Sequence, residues 1–380
     1  MVEWKEYRIK DLGEVVTGNT PPTSNREYYG TEYKFIKPTD MVEGQRFVST
    51  TEEYYSELAY QKYKKCLLPP KTPCVVTIGS LGKKMCLTDT ECFTNQAVNA
   101  VIPNKENDGE FLYYAFKASV LAYVKQLDSG TTSGRENVSK SSFSKIKVRV
   151  PPLPTQQKIA SILSAYDNLI QNYKKQIETL QTAASELYKE WFVRFRFPGY
   201  QTTKFENGIP EGWKIERLTK LVGIKYGKDH SKLDDGNIPV YGSGGIMRYC
   251  NKALYDKETV LIPRKGSLNN IMYANRPLWT VDTMFYSIML RKNIAKYLYY
   301  VLSKIDMESF NAGAALPSMT TEILSHFKII VPDNKTLELF DNKIALIFTQ
   351  IDNLQQQITN LTQQRDLLLP RLMSGKLEVK

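Results

Sequence analysis

The stretch from Thr155 to Phe197 reads TQQKIASILSAYDNLIQNYKKQIETLQTAASELYKEWFVRFRF. Apolar or aromatic side chains recur at Ile159, Ile162, Tyr166, Leu169, Tyr173, Ile177, Leu180, Ala184, Leu187 and Trp191. Alternating steps of three and four are the seam of a coiled-coil helix. Pro154 stands before the stretch and Pro198-Gly199 closes it. About 40 helical residues would span roughly 60 Å, so the helix needs an equally long partner to cover its seam.

That partner is near the end of the chain. Between Thr336 and Met373 the rhythm returns at Phe340, Ile344, Ile347, Ile351, Leu354, Ile358, Leu361, Leu368 and Leu372. Tyr166-Asp167-Asn168-Leu169 aligns with Ile351-Asp352-Asn353-Leu354. The chain therefore reads lobe, long helix, lobe, long helix. Pro370 is expected to kink or end the second helix near Leu369.

The lobes repeat each other in linear order. Trp4-Lys5-Glu6-Tyr7-Arg8-Ile9 opens the first lobe as Trp213-Lys214-Ile215-Glu216-Arg217-Leu218 opens the second. The apolar strand Pro73–Ile78 leads into Gly79-Ser80-Leu81-Gly82, and Val260-Leu261-Ile262 leads into Arg264-Lys265-Gly266-Ser267-Leu268. Leu112-Tyr113-Tyr114 returns as Leu298-Tyr299-Tyr300, and Ile146–Val150 returns as Phe327–Val331. Residues 93–102 alternate as one strand. The repeat is too long for a solenoid and suits duplication of a two-part unit. We divide the chain into residues 1–153, 154–197, 198–334 and 335–380.

Composition limits the function classes. The 380 residues suffice for two or three cores. No apolar run approaches the roughly 18 residues that cross a membrane, and the charged start Met1-Val2-Glu3-Trp4-Lys5-Glu6 lacks the apolar core of a signal peptide. The 5 cysteines include no CxxC pair, which points to buried free thiols and a cytoplasmic location. Of the net charge of +11, the first lobe carries +3 and the second +5. Gathered on one face this would attract a polyanion; spread evenly it would only confer solubility.

Two long helices at equivalent ends of two repeats can form one antiparallel pair. Readers at the ends of such a rod suit a ligand that repeats over tens of ångströms, as DNA does. Unlike lobes would read unlike half-sites. A coiled-coil scaffold carrying two protein-interaction lobes fits the same pattern.

Particular residues favour the DNA reading. The run Pro151-Pro152-Leu153-Pro154-Thr155-Gln156-Gln157-Lys158-Ile159-Ala160-Ser161-Ile162-Leu163, with Asp167, resembles the start of the helix in specificity subunits of type I restriction–modification systems. Leu367-Leu368-Leu369-Pro370-Arg371-Leu372-Met373-Ser374-Gly375-Lys376-Leu377 resembles the end of that helix in the second half. Tyr241-Gly242-Ser243-Gly244-Gly245-Ile246 and Arg264-Lys265-Gly266-Ser267 are similar to features of that family's target-recognition domains. The second helix start, Pro332-Asp333-Asn334-Lys335-Thr336, lacks the Gln-Gln-Lys-Ile of the first.

The resemblance implies an α+β fold of two α/β target-recognition lobes in tandem. Two long helices separate them as an antiparallel coiled coil with pseudo-two-fold symmetry. It implies a non-catalytic chain that reads a bipartite, asymmetric site in double-stranded DNA. Two methyltransferase subunits would dock on the helices and methylate adenine, and restriction subunits would join. S-adenosylmethionine, ATP and magnesium would belong to those partners, with no cofactor or metal on this chain. A detached recognition fragment of a single-chain restriction enzyme is a further reading, which neighbouring genes would distinguish.

The residue inventory agrees with a recognition role. There are 2 histidines, His230 and His326, too few for a histidine metal site or triad. No Asn-Pro-Pro-aromatic motif, phosphate loop or nuclease cluster occurs. DNA contact is expected on polar and basic loops, where hydroxyls and cations hold phosphates and Arg, Lys, Asn and Gln can read bases. In the first lobe the candidates are Asn19, Thr20, Lys83, Lys84, Thr131, Thr132, Arg135 and Asn137. In the second they are Lys225, Lys228, His230, Ser243, Arg248, Arg264, Lys265 and Ser267. Gly18, Gly130, Gly244, Gly266 and Gly313 are expected to shape these loops. His326, next to a strand, is expected to be structural.

Overall fold

In the computed structural model the described residues are 3–127, 137–310 and 318–379. The chain divides into two compact units, residues 1–174 with 355–380, and residues 175–354. Each unit therefore holds one lobe and a segment of each long helix.

The first unit is built on a four-stranded sheet in the order Gly13–Thr17, Val98–Pro103, Pro73–Val76, Met85–Leu87. All its pairings are antiparallel. Pro73–Val76 is buried along its whole length, as its unbroken apolar run requires. Residues 93–102 do not form one strand: Cys92–Thr94 pairs in parallel with Tyr33–Ile36, and Val98–Pro103 joins the larger sheet. A turn separates them, in which the Val98 N–H donates to the Asn95 carbonyl at 3.1 Å. Lys5–Arg8 and Lys147–Val150 form a two-stranded ribbon at the lobe's neck.

The second unit repeats this plan. Its four-stranded sheet runs Val222–Tyr226, Met284–Met289, Thr259–Pro263, Met272–Ala274, the same order of equivalent strands. Ile238–Gly242 pairs in parallel with Trp279–Thr280, matching the parallel pair of the first unit. Lys214–Arg217 and Lys328–Val331 form the neck ribbon. The duplication legible in the sequence is a duplication of topology.

The first long helix spans Leu153–Tyr188 and continues as a π-helical turn, Lys189–Val193. Pro154 sits in its first turn, where backbone N–H groups have no intrahelical acceptor and proline is tolerated. Near this end the buried stripe is Ile159, Ala160, Leu163 and Ile170, while Ile162 and Leu169 of the expected seam are 38% and 36% exposed. The stripe is rotated because this part of the helix packs against its lobe as well as against the other helix.

The second long helix spans Asn334–Met373 and runs through Pro370 rather than stopping before it. Pro370 lies in the last turn, so only one late hydrogen bond is missing. Helix closure falls at Gly375, whose φ is +71°, with its N–H donating to the Leu372 carbonyl at 3.2 Å. In the first unit Ile159 and Leu163 share a core with Leu369 and Leu372, and the two helix segments run antiparallel there, since Lys158 and Ile162 line a cleft with Leu368 and Leu372 while the later Asp167 meets the earlier Arg365. In the second unit Ala184, Tyr188 and Trp191 share a core with Leu337, Phe340 and Ile344. Phe192 is central to that core, with ring centroids 4.7 Å from Tyr297 and 4.8 Å from Phe340. Each such buried ring contributes about 1.5–3 kcal/mol through burial and about 0.5–1.5 kcal/mol through pairing.

The helix starts differ in chemistry, as their sequences do. Gln156 is buried and fully used: its amide donates to the carbonyls of Glu106 and Pro151 and accepts from the Asp108 N–H at 2.9 Å. At the second start Asp333 accepts from the N–H and hydroxyl of Thr336 at 3.0 and 2.6 Å. Arg291 ties this start to the Pro332 carbonyl and the Asn334 side chain.

Candidate nucleic-acid interface

In each unit one end of the four-stranded sheet carries a rim of loops. The residue after the first sheet strand is glycine, because the chain must pass close to a neighbouring loop there. A Cβ on Gly18 would lie 2.0 Å from the Thr94 carbonyl oxygen, and one on Gly227 would lie 2.0 Å from that of Val281. The next residue is anchored through its backbone, with the Asn19 N–H donating to Thr94 at 2.9 Å and the Lys228 N–H to Thr280 at 2.8 Å. Asn19 and Lys228 are thus equivalent, and both are exposed.

The third sheet strand ends in the other shared loop. Gly79 and Gly266 both take the left-handed conformation, with φ of +88° and +83°. The preceding residues pair with a distant segment in the same way, Ile78 with Asn137 and Lys265 with Ser318. Both rims are therefore assembled from the same three loops.

In the first unit Thr20 donates to Gln96 at 2.5 Å, which joins the loop after Gly18 to the turn after Thr94. Lys83 is exposed, whereas the Lys84 ammonium donates to the Pro38 carbonyl at 2.8 Å. A buried polar relay stiffens the rim from behind. Thr17 donates to Asn99 at 2.5 Å, and the Asn99 amide donates to the Thr77 hydroxyl at 2.9 Å. Thr131, Thr132 and Arg135 lie outside the described residues, as do Gly130 and Gly313.

The second rim is more basic. Arg264 lies with its guanidinium 5.3 Å from the centre of the Tyr226 ring and donates to the Asp282 carbonyl at 3.1 Å. Backbone N–H groups of Arg264 and Lys265 both donate to the Thr283 carbonyl. Ser243 is drawn in beside Gly266, where an added Cβ would lie 2.7 Å from its hydroxyl, and the Asn270 amide donates to the Ser243 carbonyl at 2.8 Å. Ser267 and Lys228 are exposed, and the Lys228 carbonyl is held by the Trp279 indole N–H at 2.9 Å. His230 is half-buried in the adjoining loop, with Nδ1 shielded and unpartnered among the described residues. Hydrogen bonds from the Ser231 hydroxyl and N–H hold the Asp229 carboxyl below its ordinary range, so this loop carries both charge signs.

Two expected contacts stand apart from this gathering. Arg248 turns back to the Leu233 carbonyl at 2.6 Å and to Asp235 at 3.3 Å. Lys225 is exposed but precedes Tyr226 in the same strand, so it projects from the opposite face of the sheet. Tyr226, 51% exposed, and Gln96 belong to the rims and were not candidates from sequence. The signal for Tyr226 was available, because Tyr226-Gly227-Lys228 aligns with Thr17-Gly18-Asn19. His326 is exposed, and its Nδ1 meets the Glu322 carbonyl at 2.8 Å. Among the described residues no group of acidic, histidine or cysteine side chains could hold a metal ion, and no helix is long and apolar enough to cross a membrane.

Residues 1–182 and 210–367 match the model of the type I restriction modification DNA specificity domain. The chain belongs to this family. Family members are the recognition subunits of type I restriction–modification systems and not the catalytic ones, so the chain has a DNA sequence-specificity role. It is 26% identical to the MjaIX specificity subunit of Methanocaldococcus jannaschii, covering 100% of this chain and 94% of that one. Over 44% of its length it is 35% identical to the HindI specificity subunit of Haemophilus influenzae, covering 38% of that protein. The fold is similar to the crystal structure of a type I S subunit from M. genitalium, with a TM-score of 0.66, 20% identity, and 98% and 96% of the two chains covered.

Proposed function

We propose that each rim reads one half of a bipartite, asymmetric site in double-stranded DNA. Residues 1–153 and 198–334 act as the two target-recognition domains. Residues 154–197 and 335–380 supply the helices that fix the unread spacer. The observation that carries this reading is the rim built twice on one topology with different side chains, Asn19 against Lys228 and Ile78 against Lys265. One frame bearing two chemistries suits two different half-sites.

Contacts are assigned first to Asn19, Thr20, Lys83 and Asn137 on one rim, and to Lys228, Ser243, Arg264, Lys265 and Ser267 on the other. Lys84, Lys225, His230 and Arg248 take supporting or phosphate-facing roles, and Thr131, Thr132 and Arg135 are assigned as further DNA contacts of the first lobe. Two methyltransferase subunits dock on the helices and methylate adenine, and restriction subunits join that complex in the cytoplasm. Leu346 and Leu367, 75% and 66% exposed, support docking on the second helix. S-adenosylmethionine, ATP and magnesium belong to those partners.

The test is a methylome of cells with and without the gene. One split adenine-methylated sequence is expected to disappear with it. In a Lys228→Ala background the bases of only one half-site should relax. Loss of no bipartite site in the deletion overturns the reading.

A further inference from the structure

The second helix keeps an apolar seam from Phe340 to Leu372 but carries Arg365 where the rhythm calls for an apolar residue. Arg365 is nevertheless buried, with its side chain 10% exposed. Its guanidinium donates to Asp167 on the first long helix at 2.5 Å, and Asp167 is also 10% exposed. The second carboxylate oxygen of Asp167 accepts from the Tyr114 hydroxyl at 2.6 Å. Tyr114 belongs to the lobe helix Gly109–Ala115 and accepts in turn from Arg46 at 3.3 Å. Asp366 accepts from the Arg365 Nε at 2.9 Å and lies 2.8 Å from Nη2.

This network connects three elements of one unit through directional bonds, with the Lys117 ammonium close enough to feel Arg365, Asp167 and Asp366. A slip of one heptad would set Asp167 against Ile358 or Leu372, and a slip of one turn against Leu361, Thr362, Leu368 or Leu369. In each alternative register the Asp167 carboxylate and the Arg365 guanidinium are buried without each other, which is strongly unfavourable. Leu and Ile seams discriminate poorly between such registers, whereas one buried polar pair discriminates well. The second unit holds its own lobe to the second helix by different chemistry: Lys296 donates to Glu258 at 2.6 Å and to Asp341 at 2.9 Å, and Tyr273 donates to Glu258 at 2.5 Å.

We propose that Asp167 and Arg365, with Tyr114 and Arg46, are the positioning residues that select a single register of the two long helices in the first unit, and thereby a single DNA spacer length. The proposal rests on the two-half-site reading above for its DNA consequence, but not for its helix consequence. The pair touches no base and reads no sequence.

The test replaces both charges in the full chain, Asp167→Leu with Arg365→Leu, because apolar replacement of a whole buried pair commonly preserves stability. Spin labels at the exposed positions Asn168 and Gln363 report the register. The unmodified chain is expected to give one narrow distance distribution. The double variant is expected to add populations displaced by about 5.4 Å, one helical turn. In the complex with its methyltransferase, the variant should keep both half-sites. It should gain methylation, by roughly tenfold, at sites whose spacer differs by one or two base pairs, each about 3.4 Å. Asp167→Asn with Arg365→Gln, which keeps volume and removes charge, decides the matter if the leucine pair does not fold. A single unchanged distance and an unchanged spacer in a folded variant overturn the proposal. A shifted distance with no bipartite site in the unmodified complex would instead overturn the two-half-site reading and leave the register assignment standing.

Discussion

Gly18 and Gly227 show how much a rim depends on one missing side chain. Each passes within van der Waals contact of a backbone carbonyl that the sheet holds in place, at 2.0 Å from where a Cβ would stand. Neither rests on an unusual φ, so the constraint is close approach alone. Gly18→Ala and Gly227→Ala should each destabilise by about 1–3 kcal/mol, the range for overpacking a site that cannot retreat. Scanning calorimetry should register the lowered transition, and an unchanged melting temperature would contradict the geometry. The same substitutions should displace Asn19 and Lys228, so each should weaken only its own half-site. The glycines stood in the sequence at recognisable loop positions, but the carbonyls that demand them are 76 and 54 residues away along the chain. No local pattern could name those neighbours.

At the scale of the element, the second long helix starts by a different device from the first. Asp333 is its cap, accepting from the Thr336 N–H three residues on. Burial works to raise the Asp333 carboxyl's pKa, but hydrogen bonds from the Thr336 hydroxyl and from backbone N–H groups outweigh it and hold the group below the usual carboxylate range. A folded pKa below the unfolded one contributes stability that is full above the unfolded value. That contribution is lost as pH falls through the depressed folded value. Asp333→Ala should cost about 1 kcal/mol near neutral pH, read from the urea midpoint. Asp333→Asn should keep most of the cap, and its deficit relative to the native chain should shrink in acid. A deficit that grows in acid would contradict the assignment. Helix existence and approximate length were legible from the seam, and a difference between the two starts was legible as a missing Gln-Gln-Lys-Ile, but the bonds that Gln156 and Asp333 make were not. The passage through Pro370 was not, because proline's penalty depends on its distance from the true helix end, and Gly375 sets that end through its left-handed φ of +71°.

For the molecule as a whole, the two long helices carry the relation between one half-site and the other in the proposed function. Inserting one heptad in each helix, at a point between the two ionic networks, should lengthen the recognised spacer by about three base pairs, since seven helical residues rise about 10.5 Å and a base pair about 3.4 Å. Both half-sites should stay the same. Methylome sequencing of cells expressing the lengthened chain checks this. Changed half-sites with an unchanged spacer would contradict the role given to the helices. A single insertion in one helix should instead break the seam and cost assembly, because the apolar stripes would no longer meet.

The amino-acid sequence by itself determined the order lobe, helix, lobe, helix, the duplication, the apolar strands and the glycine-marked loops. These follow from local periodicity and from the steric needs of single residues, which are written in adjacent positions. Only the tertiary structure decided which loops share a rim, why Arg248 turns away from it, and that Asp167 meets Arg365 across 198 residues. Those outcomes are set by contacts between segments far apart in the chain. A charged residue in an apolar seam signals an exception, and only the fold supplies its partner.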